Sequence, residues 1–176
     1  MKTTYQIDPA HSSAQFTVRH MMITNVRGGF SSVKGTVVYD PDNLAESSVE
    51  AHIDSASITT MDEQRDAHLK SADFLDAEKY PEIIFKSTKV EHGKVTGNLT
   101  IHGVTREAIL QLDGPTPEAK DPYGNMRVGA SATTKIKRSD FGLTYNAALE
   151  TGGILIGDDL KLEVEVSMIK SEAKAA

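Results

Sequence analysis

Six histidines are the side chains of this sequence best suited to chemistry near neutral pH: His11, His20, His52, His68, His92 and His102. An imidazole can move a proton, ligate a metal or hold an anion. None of the six is paired at i, i+4, no His-x-His occurs, and nothing in the spacing makes ligands converge, so no metal site is expected. Serine, histidine and aspartate are present without a Gly-x-Ser-x-Gly elbow. Ser167-Met168-Ile169-Lys170 matches Ser-x-x-Lys by letter alone, and Gly152, Gly153 and Gly157 are not followed by the Gly-Lys-Ser/Thr of a phosphate loop. Acidic residues are scattered over outward faces and offer no carboxylate pair for acid–base work. Asn98-Leu99-Thr100 is a formal glycosylation sequon without a secretory signal to use it. No catalytic residue and no cofactor is predicted.

His52 alternates outward, and His92 and His102 sit beside glycine in turns, which predicts surface or structural roles. His20 differs. In "AQFTVRH", Ala14, Phe16 and Val18 alternate with Gln15, Thr17 and Arg19, the period-two mark of a half-buried strand, and the next apolar-face position is His20. A buried histidine bonded to a neighbour is one reading. A histidine at the polar end of an apolar cavity, orienting a ligand head group, is the other.

The elements that must position these residues are nearly all strands. Alternating sets run through Val33, Gly35, Val37 and Tyr39; Val49, Ala51 and Ile53; Ile83, Phe85 and Ser87; Val95, Gly97, Leu99 and Ile101; and Ala108, Leu110 and Leu112. Two more follow the Pro- and Gly-rich loop 113–125: Val128 to Ile136, and Leu160 to Met168. With a short leading strand at Tyr5–Ile7, eight or nine strands are expected. Asp40-Pro41-Asp42-Asn43, His92-Gly93 and His102-Gly103 mark turns between them. Thr60-Met61-Asp62-Glu63 has the form of a capping box, which predicts a helix from Asp62 to about Ala72 with Leu69 and Ala72 on one side, closed off by Pro81. A single domain over 1–170 and a flexible tail at 171–176 are expected.

Each strand is apolar on one face only, and a sheet of eight or nine strands hides that face by curling on itself. The predicted fold is therefore all-β, an antiparallel barrel of about eight strands with a short helical insertion. Along its inward sets Gly35, Ala51, Ser87, Gly97, Ala130 and Ala132 are small, which leaves a gap beside Phe16, Val18, Val37, Phe85, Leu99, Leu110, Leu162 and Val164. An apolar, elongated ligand would fill such a gap. Interdigitation of small and large residues in a solid barrel is the competing reading.

Net charge narrows the partners. The 176 residues carry 19 Lys and Arg against 25 Asp and Glu, formally −6, which argues against a nucleic-acid partner. The basic run Lys135-Ile136-Lys137-Arg138 reads as a solvated strand face. There is no cysteine, hence no disulfide framework or thiolate chemistry. No segment reaches membrane-spanning length and "MKTTYQIDPAHSSAQF" has no apolar run like a secretory h-region. Stable membrane insertion is not expected. A cytoplasmic protein is, or a periplasmic one if a leader has been removed.

These segments, taken in order, resemble the YceI-like family: "IDPAHSSAQFTVRHM", "VRGGFSSVKGTVVYD", "SITTMDEQRDAHLKSADFLDAEKYPEIIFKST", "VTGNLTIHGVTREAIL", "IKRSDFGL" and "LKLEVEV". The resemblance spans almost the whole chain. It implies an extended lipocalin-like barrel that binds a long isoprenoid or fatty chain inside, with no catalytic step, and it suggests a homodimer. Positions matching the family pattern are His20, Phe30, Thr60, Arg65, His68, Phe74, Phe85, Leu99, His102, Arg138 and Phe141. Many relatives are exported, whereas this sequence begins directly at the barrel. Pattern and resemblance together give a predicted ligand-binding set of Phe16, Val18, His20, Phe30, Val37, Arg65, His68, Leu69, Phe74, Phe85, Leu99, Leu110, Ala132, Phe141, Leu162 and Val164. The expected ligand is a polyisoprenoid or fatty-acid-like lipid. Two alternatives stand beside this reading. One is an enzyme acting on an apolar substrate through a His20/Arg65/His68 cluster; the other is a packed structural or stress-related module without ligand.

Overall fold

A computed structural model describes residues 1–172. In chain order the strands are β1 (Thr3–Ile7), β2 (Ser13–His20), β3 (Thr24–Phe30), β4 (Val33–Tyr39), β5 (Ser48–Asp54) and β6 (Ile58–Thr59). After helix α1 (Glu63–Lys70) come β7 (Glu82–Glu91), β8 (Lys94–Ile101), β9 (Val104–Asp113), β10 (Ala119–Lys120), β11 (Met126–Lys137) and β12 (Ile156–Lys170). All pairings are antiparallel. The order β11-β9-β8-β7-β5-β4-β1-β12 closes on itself where β12 pairs back along β11, from Arg127↔Ile169 to Lys137↔Asp159. The result is a closed eight-stranded lipocalin-like barrel.

The 15-residue β12 serves two neighbours along its other edge. Met168, Ile169 and Lys170 pair with β1, whereas Ile156 to Glu165 pair with β2, from which β3 and β6 continue the sheet. Twelve strands therefore stand where eight or nine were expected. Two of the extra ones have only two residues, and β3 gave no period-two signal. The barrel has two distinct ends. The turn end carries the β7–β8 turn, the 40–47 loop and the 113–125 loop. The helix end carries the β2–β3 hairpin, α1 and the 138–155 segment.

Helix α1 is shorter than expected, and its cap is a correction. Asp62, not Thr60, is the N-cap, its carboxylate accepting from the Arg65 amide at 2.9 Å. Met61, at φ 62°, separates the two residues. Thr60 is buried and anchors the helix from outside. Its amide and hydroxyl both donate to Asp66 Oδ1 (2.8 and 2.6 Å), and its hydroxyl accepts from Arg65 Nε at 2.7 Å. At the other terminus, Ser171 donates its amide to Thr4 O at 2.8 Å. The rest of the tail expected at 171–176, residues 173–176, lies outside the described residues.

The β2–β3 connection is the three residues Met21 to Ile23, and it opens with a tight turn closed by Ile23 N to His20 O at 3.0 Å. Its central residues, Met21 and Met22, have φ of 52° and 59°. Such turns favour Asn-Gly, because a side chain with Cβ in the left-handed region costs about 1–2 kcal/mol per residue. Here two methionines occupy it.

Candidate functional site

The barrel is hollow. A cavity of about 790 Å³ runs from the turn end to the helix end, inside the 300–1,000 Å³ range of small-molecule sites. Its wall is built by the inward face of every ring strand: Ile7 from β1, Val37 from β4, Ala51 and Ile53 from β5, Phe85 from β7, Leu99 from β8, Leu110 from β9, Ala130 and Ala132 from β11, and Leu162 and Val164 from β12. A solidly packed barrel is excluded by this volume.

The reason for the hollowness differs in part from the sequence expectation. Of the six small inward residues, only Ala51, Ala130 and Ala132 line the cavity. A Cβ on Gly97 would stand 2.5 Å from Phe85 Cζ, so the Phe85 ring lies directly over that glycine. Phe16 lies over Gly28 in the same way, also at 2.5 Å. Gly35 is closed off by the β5 backbone. Ser87 sits at a register irregularity, with its hydroxyl accepting from the Val49 amide at 2.8 Å. The glycines let two aromatic rings lie flat against the wall instead of reaching across the lumen.

Fifteen of the sixteen predicted residues line the cavity: Phe16, Val18, His20, Phe30, Val37, Arg65, His68, Leu69, Phe74, Phe85, Leu99, Leu110, Ala132, Leu162 and Val164. Phe141 is the exception. It is 2% exposed and packs outside the lumen, where a shallower surface depression is formed with Ala108 and Ile136.

Charge divides the cavity lengthwise. Its arginines, Arg19, Arg65 and Arg138, are all at the helix end, with His20 and His68; its carboxylates, Glu91 and Glu118, are at the turn end with His92. The helix-end residues are tied into one cluster. His20 pairs across to Ile156, and Arg138 donates to the Ile156 carbonyl at 3.4 Å. Arg138 also donates to Tyr145 O at 3.2 Å, and the Tyr145 ring meets those of His68 and Phe74 at 5.0 Å each. Arg65 lies one helical turn from His68 and is bonded to Thr60 Oγ1 and O. His68 Nε2 is 2.8 Å from Asp73 Oδ2.

Arg138 was read as part of a solvated basic face, and the structure corrects this: it is 5% exposed. Its guanidinium also donates to Gly157 O at 2.9 Å and Leu143 O at 2.8 Å, and burial draws its pKa below the ordinary arginine value. Lys135 and Lys137, before it, do face outward as expected. Alternation alone would have put Arg138 with Ile136 on the inner face. His92, for which its place beside a turn glycine had suggested a surface or structural role, also lines the cavity.

At the turn end Tyr5 donates to Glu118 Oε1 at 2.7 Å, and burial together with that carboxylate pushes its phenol up to about 12. Arg127 bridges Asp121 Oδ2 (2.6 Å) and Asp8 Oδ2 (2.7 Å). Its guanidinium, with His11, lowers the Asp8 carboxyl to about 2, and it holds Asp121 well below the usual carboxylate range. Among the described residues no three His, Cys, Asp or Glu side chains converge as metal ligands, and no helix is long and apolar enough to cross a membrane.

These features define an antiparallel lipocalin-like barrel around an apolar cavity. The chain belongs to the YceI-like family, whose model matches residues 5–168. A UPF0312 protein of Staphylococcus aureus is 35% identical over 170 residues, covering 97% of this chain and 99% of that one. The crystal structure of the Campylobacter jejuni YceI protein is 34% identical, with a TM-score of 0.70 over 88% of this chain and 90% of that chain. A polyisoprenoid binding domain from Saccharophagus degradans shares the fold at 15% identity, with a TM-score of 0.70 over 96% of this chain and 99% of that one.

Proposed function

We infer that this protein binds and carries a long-chain isoprenoid-type lipid, polyprenyl or quinone-like, inside the barrel and performs no catalytic step on it. The observation that carries this reading is the cavity of about 790 Å³, walled by aliphatic and aromatic side chains and long enough to link both ends of the barrel. Each methylene moved from water into such a wall contributes about 0.8 kcal/mol, so an extended apolar chain gains affinity along its length without any polar recognition. The described binding activity of the Saccharophagus degradans domain agrees with this ligand class. The polar head is assigned to the helix end, beside His20, Arg65 and His68, where cationic and imidazole groups gather.

The enzyme alternative draws little support from the cluster's bonding. Arg65 is engaged by Thr60, and His68 is held between Asp73, Phe74 and Tyr145. Extraction of the purified protein with organic solvent, followed by mass spectrometry, tests the binding reading. A polyprenyl or related lipid is expected at near one per chain. An empty extract, together with no uptake of added geranylgeraniol, rejects it.

A further inference from the structure

Exposed apolar side chains gather beside the helix end of the cavity. Met21, Met22 and Ile23 at the β2–β3 tip are 42%, 60% and 68% exposed, and Ile154, which lies between the tip's neighbours Gly153 and Leu155, is 42% exposed. The tip is fastened to the cavity wall. Met21 donates its amide to Leu155 O at 2.7 Å, and the flanking residues His20, Leu155 and Ile156 line the lumen. Met22 also packs on Gly153, where a Cβ would stand 2.3 Å from its sulfur.

Two observations say what this tip meets. Backbone geometry there favours Asn-Gly, yet methionines hold both left-handed positions. Strain retained in the backbone at an exposed turn calls for a function that needs those side chains. Charge is the second. From residue 9 to residue 39 there is no Asp or Glu, in a chain that carries 25 of them, whereas Arg19, Arg27 and Lys34 fall in that stretch. Arg19 stands at the tip itself, bonded to Asn25 Oδ1 and to Met22 O. On this hairpin the apolar side chains are flanked by cations and by no acid, a pattern suited to the interface of an anionic bilayer.

We propose that the Met21-Met22-Ile23 tip docks into the surface of an anionic lipid bilayer and brings the helix end of the cavity to the membrane, where a lipid enters or leaves without crossing water. This rests on the lipid-binding reading of the cavity, although docking itself is measured separately. The tip occupies the surface region only. Around Ile154 in sequence, Glu150 is exposed, Asp158 is bonded to Ser139, and Asp159 pairs with Lys137. The hairpin itself carries Arg19 and Arg27 and no acid.

The test is flotation of the full chain with vesicles of phosphatidylcholine containing a minority of phosphatidylglycerol. Wild-type protein is expected to float with these vesicles and to be released by salt, as screening requires. M21N/M22G restores the residues that the turn prefers. It is expected to melt at a higher temperature than wild type while binding vesicles roughly tenfold more weakly. Ile23→Ser, which leaves the turn backbone alone, provides the same comparison if the double variant misfolds. No flotation of wild type, or equal flotation of wild type and both variants, overturns the proposal and leaves the tip to a protein partner. Uptake of geranylgeraniol in solution, without vesicles, reads the cavity by itself and is expected to be equal in wild type and variants. No such uptake by any of the chains and an empty extract, with flotation intact, refute the cavity reading and leave docking standing.

Discussion

At the turn end of the barrel Arg127 spans Asp8 and Asp121, and Tyr5 donates to Glu118, which also meets Lys170. At the helix end Arg138 is surrounded by carbonyl oxygens, and a left-handed Met-Met turn stands open to solvent. The turn end joins opposite charges in compact networks, which close a barrel and fix its register. The helix end concentrates cations without carboxylates on its lining, together with exposed apolar groups and backbone strain. Closure belongs to the first set of features; the second is where the proposed lipid would enter or leave.

The sharpest way to break this contrast is Arg138→Met. The substitution leaves the carbonyls of Leu143, Tyr145 and Gly157 without their donor in a nearly dry site, a loss of about 3 kcal/mol. Chemical denaturation reads the magnitude. Hydrogen exchange should show protection falling over 138–157 but not in β1 or β4.

Acid is expected to act on the opposite end. The Asp8 and Asp121 carboxyls both lie below their ordinary values. Their contribution is complete above about pH 5 and is lost as pH falls through the ordinary carboxylate range toward 2. Melting temperature should drop over that window by several degrees. Arg127→Met should flatten the dependence, since the arginine is the first cause of both shifts; an unchanged profile would show the turn end is not held by charge.

Between the two ends, Ala132→Phe places a ring in the lumen where Ala132 lies opposite Val164 on β12. Uptake of cis-parinaric acid should fall roughly tenfold, about 1.4 kcal/mol, with stability kept. The smallest effect is expected at Gly153→Ala. A Cβ there meets Met22 Sδ at φ 95°, so a loss of about 1 kcal/mol, confined to the tip and its neighbouring loop, is expected in thermal melts.

Much of the barrel was legible in the sequence because alternation with period two is a local property of the chain. β4, β5, β7, β8, β9, β11 and β12 each announce an inward face in their own residues. β3 did not, because the turn before it carries Met-Met in place of Asn-Gly, and because Gly28 and Gly29 interrupt its pattern. The helix was legible in place but not in its cap. Thr60 has the right letter, yet Met61 bends the chain and passes the cap to Asp62.

What the sequence alone determined is which side chains face inward, hence an apolar lining containing Phe16, Leu99, Leu162 and His20. Only the tertiary structure decided that this lining surrounds a void. Whether Phe85 crosses the lumen or lies flat depends on its having Gly97 beneath it, from the neighbouring strand, and Phe16 depends on Gly28 in the same manner. The gathering of Arg65, His68, Arg138 and Tyr145 at one end is equally non-local. It is fixed by barrel closure, which brings together residues separated by up to 80 positions, and no spacing along the chain encodes it.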